Sequence, residues 1–235
     1  MTPTLASYLD VALLKPECTQ TELSAICEEM VPYQPCTFCV RPADIPFVKP
    51  ICLEHRIGCC VVLGFPHGHQ LTGSKVDEAS RYLEAGADEI DMVCNIGAVR
   101  SGNWDLVTHD IHEVSSITRP AGVCLKVIFE TCFLTDDEIT TLVEVCIEGQ
   151  ADFVKTSTGF NGEGAQDHHV QLMLDTANHR IQVKPSGGIR DTARAEKLIA
   201  MGATRLGVGY SSVAAICGEQ TMEGRFSTVQ PDSEY

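Results

Sequence analysis

Eight short apolar runs, the helical patterns between them and the brief joints that link the two predict an α/β fold. Within a chain of 235 residues, that combination specifies a single-domain (β/α)8 TIM barrel. The runs are YLDVALL (8–14), TFCV (37–40), GCCVVLGF (58–65), DEIDMVCN (88–95), VCLKVIFE (123–130), ADFVKTS (151–157), IQVKPSG (181–187) and RLGVGYS (205–211). They are nearly continuous in apolar residues rather than alternating. That is the pattern of parallel strands covered on both faces.

Helical patterns fall between the runs. Residues 19–30 open with Thr19 as an N-cap and carry Leu23, Ile26, Cys27 and Met30 at 3–4 spacing. Residues 74–86 carry Val76, Ala79 and Leu83 on one face and end at Gly86. Residues 135–149 open with the capping box Thr135–Glu138, followed by Ile139, Leu142, Val143, Val145 and Cys146. Residues 191–202 open at Asp191 and close at Gly202. A weak internal repeat marks the joints: GADEIDM (86–92), QADFVKT (150–156) and GATRLGV (202–208) each lead from a helix end into a strand. Glycine at that point takes positive φ. Gln150 breaks the pattern, so either Gly149 makes the turn or Gln150 is strained. Such short joints predict parallel βαβ units, and eight of them in this length close a barrel. The barrel is expected over residues 1–217. The tail, 218–235, is polar, lacks a period and is expected to be flexible.

A hydrophobic fraction of 44% supports a sizeable core. The formal net charge is −15. Such a surface repels nucleic acid and anionic membrane, so neither is an expected partner. An anionic small-molecule substrate needs a local positive pocket against that background. The first residues, MTPTLASYLDVALLKPE, lack the basic start and apolar core of a signal peptide. No run approaches 18 apolar residues, so no membrane span is expected. The 12 cysteines sit mostly inside apolar runs, as reduced, buried thiols of a cytoplasmic protein do. Cys36-Thr-Phe-Cys39 is a lone C-x-x-C. His67-Gly-His69 and His168-His169 lack accompanying carboxylates at ligand spacing. These histidines read as exposed loop residues, and no metal site is expected.

The chemistry of such barrels forms at the C-terminal ends of the strands. Lys155 ends ADFVK and Lys184 ends IQVK on adjacent predicted strands; Asp91 lies in DEIDMV, and Lys126 lies mid-strand in VCLKVIFE. Like charges close together and away from water depress one lysine's pKa. A lysine neutral near pH 7 is a nucleophile that forms a Schiff base with a carbonyl. Asp91 is placed to hold the charged lysine and pass protons. Gly187 and Gly188 follow the Lys184 strand directly, ahead of a helix opening near Asp191. Backbone N–H groups exposed there cradle a phosphate, with Gly159, Gly207 and Gly209 as further contributors.

At these residues the sequence resembles the deoxyribose-phosphate aldolase family of class I, lysine-dependent aldolases. The matching blocks are LDVALLKP, TFCVRP, VVLGFPHG, GADEIDMVCNIGAV, LKVIFETCFLTDDEI, ADFVKTSTGF, VKPSGGIR and GATRLGVG. The resemblance implies reversible cleavage of 2-deoxyribose 5-phosphate to glyceraldehyde 3-phosphate and acetaldehyde, with no metal or organic cofactor. It implies Lys155 as the Schiff-base former, Lys184 as the group perturbing it and Asp91 in proton transfer. Phosphate is expected on backbone at Gly159, Gly187, Gly188, Gly209 and Tyr210, with Asp10 and Lys126 as accessory residues. The last residue, Tyr235, matches a terminal tyrosine that in some family members reaches the active site. Similar proteins are commonly dimers, and a homodimer is compatible with the resemblance, although no interface stripe specifies one.

Some positions depart from the family pattern. Asp10-Val11-Ala12 stands for Asp-His-Thr, so Ala12 lacks a hydroxyl. Gly209-Tyr210 replaces paired serines, which arrive two residues later as Ser211-Ser212. Gln150 replaces a glycine, and His67 and His69 decorate a loop normally less polar. Three alternatives stand beside this reading: the same lysine chemistry on another sugar phosphate, a non-catalytic barrel binding a phosphorylated metabolite, and a metal-dependent aldolase.

Overall fold

The computed structural model describes residues 4–218. The expected tail therefore lies outside the described residues beyond Gly218, and so does Tyr235. The elements are β1 (Leu9–Leu13), α1 (Gln20–Met30), β2 (Thr37–Val40), α2 (Ile45–His55), β3 (Gly58–Leu63), α3 (Thr72–Glu84), β4 (Glu89–Val93), α4 (Ile96–Arg100), α5 (Trp104–Thr118), β5 (Cys124–Ile128), α6 (Asp136–Glu148), β6 (Phe153–Lys155), α7 (Asp167–Ala177), β7 (Gln182–Lys184), α8 (Thr192–Met201), β8 (Leu206–Gly209) and α9 (Val213–Cys217).

From β1 to β7 each strand pairs in parallel with its neighbour in sequence, and β1 also pairs with β8. The ring is the expected eight-stranded barrel. Its seam lies between β7 and β8, where a single bridge, Ser186 to Gly207, replaces a ladder. There the Gly207 N–H donates to Pro185 O at 2.9 Å. Only glycine fits at 207, because a Cβ would sit 2.3 Å from Ser186 Oγ.

All eight expected strands are present, with shorter ends. β3 stops at Leu63 because Gly64 turns the chain at φ +63°. β6 and β7 keep only three residues each. Thr19 and Thr135 both form reciprocal capping boxes, with Glu22 and Glu138. The expected helix 74–86 runs instead from Thr72 to Glu84. Five helices, α2, α4, α5, α7 and α9, escaped the periodicity reading. In α2 the reason is visible: Pro46 and Pro50 interrupt the pattern, although a proline in the first turn costs no hydrogen bond.

The joint before β6 answers the question of Gln150. Gly149 keeps φ −70°, and Gln150 takes the left-handed turn at φ +63°. Gly149 is required for a different reason, since a Cβ there would lie 2.7 Å from Ile111 Cγ2 on α5. The turn thus combines a close approach at one residue with backbone strain at its neighbour.

The main core lies between the sheet and the helices. Outward-facing Leu9, Val11, Phe38, Val61, Ile90 and Leu125 pack there against residues such as Leu23, Val48, Val107 and Leu142. A second, small apolar cluster caps the barrel interior, made of Leu14, Cys39, Cys60 and Val62 with Ala12, Phe65 and Phe160 against them. Below it the interior is charged.

Overpacking of that joint is measurable. Gly149→Ala is expected to cost about 1–3 kcal/mol in urea denaturation. Gln150→Gly relieves the left-handed strain and is expected to change stability by no more than about 1 kcal/mol.

Candidate active site

Strand register assembles the site. Lys155 pairs with Lys184 across β6 and β7, Asp91 with Lys126 across β4 and β5, and Asp10 with Gly207 across β1 and β8. Alternation along each strand sends these side chains to the barrel interior. There they meet on Asp91. Lys126 Nζ donates to Asp91 Oδ1 at 2.7 Å. Lys155 Nζ and Lys184 Nζ both donate to Asp91 Oδ2, each at 2.7 Å. The two lysines read from the sequence as neighbours therefore share one oxygen atom.

The network extends downward. Lys184 Nζ lies 2.5 Å from Asp10 Oδ2, an ion pair off hydrogen-bonding angles. Lys126 Nζ lies 2.6 Å from Glu89 Oε2 and 3.7 Å from Asp10 Oδ2. Arg205 bonds Asp10 Oδ1 at 2.6 Å and both oxygens of Glu89 at 3.1 Å, and its guanidinium lies 5.5 Å from the centroid of the Phe153 ring. Four cations thus face three carboxylates, leaving one excess positive charge inside a protein of net charge −15. Lys126, Lys184 and Asp91 are fully buried.

Charges this deep survive only by compensating one another. Burial alone would raise the Asp91 carboxyl, but the three ammonium groups outweigh it and hold it well below the usual carboxylate range. Asp10 is lowered the same way, against burial, by Lys184, Lys126 and Arg205. Burial alone would lower Lys184, and Asp10 and Asp91 reverse that, so it is raised and stays protonated. Lys126 is raised likewise, burial being overcome by Asp91 and its neighbours.

The three lysines are not equivalent. Lys126 contacts three carboxylates and Lys184 contacts two, whereas Lys155 pairs with Asp91 alone. Lys155 is also the one with some exposure, at 3%. It ends the strand that feeds the loop 156–165, so it is the amine nearest to release.

Two thiols of the apolar cap border the network. Cys60 Sγ donates to Asp91 Oδ1 at 3.2 Å. A hydrogen bond from Cys60 lowers the Cys39 thiol, while burial and that same bond push Cys60 up. Cys39, Cys60 and Asp91 are three potential metal-ligand atoms within 4.8 Å of one another. Their carboxylate already holds three ammonium groups, so an added cation there meets like charge. Cys36 sits outside β2 and does not join Cys39, so the C-x-x-C spacing has no structural meaning. His67 and His69 are exposed and stack on each other, ring centroids 5.7 Å apart.

The glycines gather at the mouth. Gly159, Gly187 and Gly188 all take positive φ, at +83°, +86° and +74°. None of their N–H groups donates within the described residues. The loop after β6 docks on the β7 turn through Ala165 N–H to Gly187 O at 3.1 Å and Ser186 N–H to Thr156 Oγ1 at 3.0 Å. Gly164 is forced by this approach, since a Cβ would lie 2.3 Å from Gly187 C. On one side of the loop a pocket of about 450 Å³ has Gly187, Gly188 and Arg194 in its lining, together with Asp167 and His168 at the start of α7. On the other side, an apolar pocket of about 370 Å³ includes Leu14, Val62, Phe65 and Phe160. Phe65 and Phe160 meet edge to face, centroids 5.0 Å apart. Gly209 is exposed and Tyr210 half-buried at the end of β8; both share this face but line neither pocket.

Sequence reading missed Glu89, Arg205, Cys39, Cys60 and Glu130. Glu89 carried a usable signal, because it lies two residues before Asp91 and so faces the same side of the strand. Nothing local marked Arg205, whose partner Asp10 is at the other end of the chain.

An amine next to a carboxylate and a second, permanently charged ammonium, at the mouth of a parallel barrel, has the parts for carbonyl chemistry through an imine. Aldolases that work through lysine form such a class. The comparisons narrow it: a family model described as DeoC/LacD family aldolase matches residues 9–217, and the chain belongs to that family. It is 42% identical to the deoxyribose-phosphate aldolase of Mannheimia succiniciproducens, over 94% of this chain and 98% of that protein. It is 44% identical to that of Carboxydothermus hydrogenoformans, over 86% and 90%. Among solved structures, the aldolase QR15 superposes with a TM-score of 0.85 at 36% identity, covering 92% of this chain and 95% of its own. The tetrameric deoxyribose phosphate aldolase of Aeropyrum pernix gives 0.83 at 29%, over 90% and 89%.

The charge network fixes a pH window. Depressed carboxylates at Asp10 and Asp91 contribute stability above about pH 4, and that contribution is lost as pH falls through their lower folded values. Raised ammonium groups at Lys126 and Lys184 contribute fully below about pH 10.4 and lose it as pH rises further. Urea midpoints are expected to fall on both sides of this window. Asp91→Asn leaves three buried cations short of charge and is expected to cost about 3–5 kcal/mol at pH 7, with a shallower acid limb.

Proposed function

We propose that this protein is a deoxyribose-phosphate aldolase that cleaves 2-deoxy-D-ribose 5-phosphate reversibly to D-glyceraldehyde 3-phosphate and acetaldehyde. The observation that carries the reading is the asymmetry of the lysines: Lys155 is tied to one carboxylate, while Lys184 and Lys126 are each tied to two or more. Lys155 is the nucleophile. Its Nζ attacks the C1 aldehyde of the open-chain sugar, and loss of water gives the iminium. Electrons from the C2–C3 bond flow into that iminium as the C3 hydroxyl loses its proton. Glyceraldehyde 3-phosphate departs, leaving an enamine on Lys155. Protonation at C2 and hydrolysis release acetaldehyde and restore the amine.

Lys184 stays protonated beside the reacting nitrogen and shares Asp91 Oδ2 with it. Asp91, bonded to both, is the route for protons between them. Lys126 and Asp10 hold Asp91 and Lys184 in place. Phosphate binds through the free N–H groups of Gly159, Gly187 and Gly188, with Gly209 and Tyr210 closing that side. The excess positive charge of the network favours an anionic substrate that the outer surface repels.

The domain organisation that goes with this reading is one barrel over 1–217 and a polar tail over 218–235, with Tyr235 as an accessory proton carrier. A cytoplasmic location is supported by 12 unpaired thiols. No helix among the described residues is long and apolar enough to cross a membrane. A homodimer is compatible with this reading; sedimentation distinguishes it from the tetramer described for Aeropyrum pernix.

Borohydride trapping tests the chemistry. Incubation with deoxyribose 5-phosphate or acetaldehyde and reduction are expected to leave the adduct on the peptide carrying Lys155. Lys155→Ala is expected to abolish both adduct and turnover. Lys184→Met is expected to lower kcat by about 100-fold or more. An adduct on Lys184 in the wild-type protein would reverse the two roles.

A further inference from the structure

We infer that Glu130 is a positioning residue that fixes the loop 156–162, so that the Gly159 N–H faces the phosphate of the substrate. The inference rests on the reading above.

Glu130 directly follows β5 and is fully buried. It holds φ +57°, in the left-handed region that glutamate avoids. Its backbone is pinned there: the Phe133 N–H donates to Glu130 O at 3.0 Å, and the next residue's N–H, on Thr131, donates to Thr156 O at 3.0 Å. Its carboxylate has no ion-pair partner among the described residues. Burying such a group is costly unless it is saturated with donors.

All of its side-chain donors come from the loop after β6. The Thr158 N–H reaches Oε1 at 3.1 Å. The Thr158 hydroxyl donates to Oε2, and Asn161 Nδ2 reaches the same oxygen at 3.0 Å. The Thr158 hydroxyl in turn accepts the Phe160 N–H at 3.0 Å. The amides on both sides of Gly159 are therefore turned inward and occupied. The amide left over is that of Gly159, at φ +83° and with no acceptor among the described residues. A buried negative charge is spent on holding one free N–H outward. A neutral side chain of the same shape cannot substitute: one face of a glutamine amide is a donor, and it would oppose the Thr158 or Asn161 donors.

The test compares deoxyribose 5-phosphate with unphosphorylated deoxyribose. In Glu130→Gln, kcat/KM for the phosphate ester is expected to fall at least tenfold more than for the free sugar, through KM. Acetaldehyde should still be trapped on Lys155. Thr158→Val, which removes one donor from the far end of the same contact, is expected to move the ratio the same way by less. Equal losses on the two sugars, or none, would overturn the inference. Inactivity of the wild-type protein on both sugars would instead overturn the proposed reaction. The positioning is then read by hydrogen exchange: Glu130→Gln should speed exchange over 156–162 at least tenfold with β4 unchanged, and unchanged exchange in the loop would sink the idea.

Discussion

Three ammonium groups share the carboxylate of Asp91, and the interior of the barrel is arranged around that imbalance. One negative charge cannot neutralise three positive ones, so the surplus is passed outward to Asp10 and Glu89, which in turn hold Arg205. Each strand end contributes because the network has to be closed in three dimensions. A cavity filled with aliphatic side chains would hold the ring together at lower cost. The charged filling is the mark of an interior selected for reactivity. It also explains how a strongly acidic protein receives an anion: the positive potential is generated where water cannot screen it.

The fold was legible because its signals are local. Runs of β-branched and apolar residues, capping threonines and glycine-marked joints act over a few residues, and all eight strands follow from them. Helix α2 was not legible because its prolines look like breakers until the first of them is seen to sit in the first turn. The same distinction divides the site. Lys155, Lys184 and Asp91 stood out because charge is anomalous in a buried strand. Cys39 and Cys60 are ordinary in such a strand, and only closure of the ring places their sulfurs beside Asp91. Glu130 looked like the polar end of a strand. Its role depends on a left-handed backbone and on a loop 28 residues later, neither of which has a periodic signature.

The departures from the family pattern also find physical places. Ala12 belongs to the apolar cap with Cys39, Cys60 and Phe160, so its methyl continues a dry surface over the thiols. Gln150 accepts a strained turn next to a glycine that packing requires. Gly209 and Tyr210 leave the β8 side of the mouth with backbone and one phenol in place of two serine hydroxyls.

The ring is fastened unevenly. β3, β4 and β5 pair over four or five residues, β6 and β7 over three, and β7 meets β8 through one bridge. The reactive lysines stand on the thinly laddered arc. In that sector the hoop is drawn tight by ion pairs spanning its inside, as spokes true a wheel whose rim is weak. Rim and hub are then one mechanical object, so any event that breaks the Lys155–Asp91 ion pair alters the tension across the seam itself.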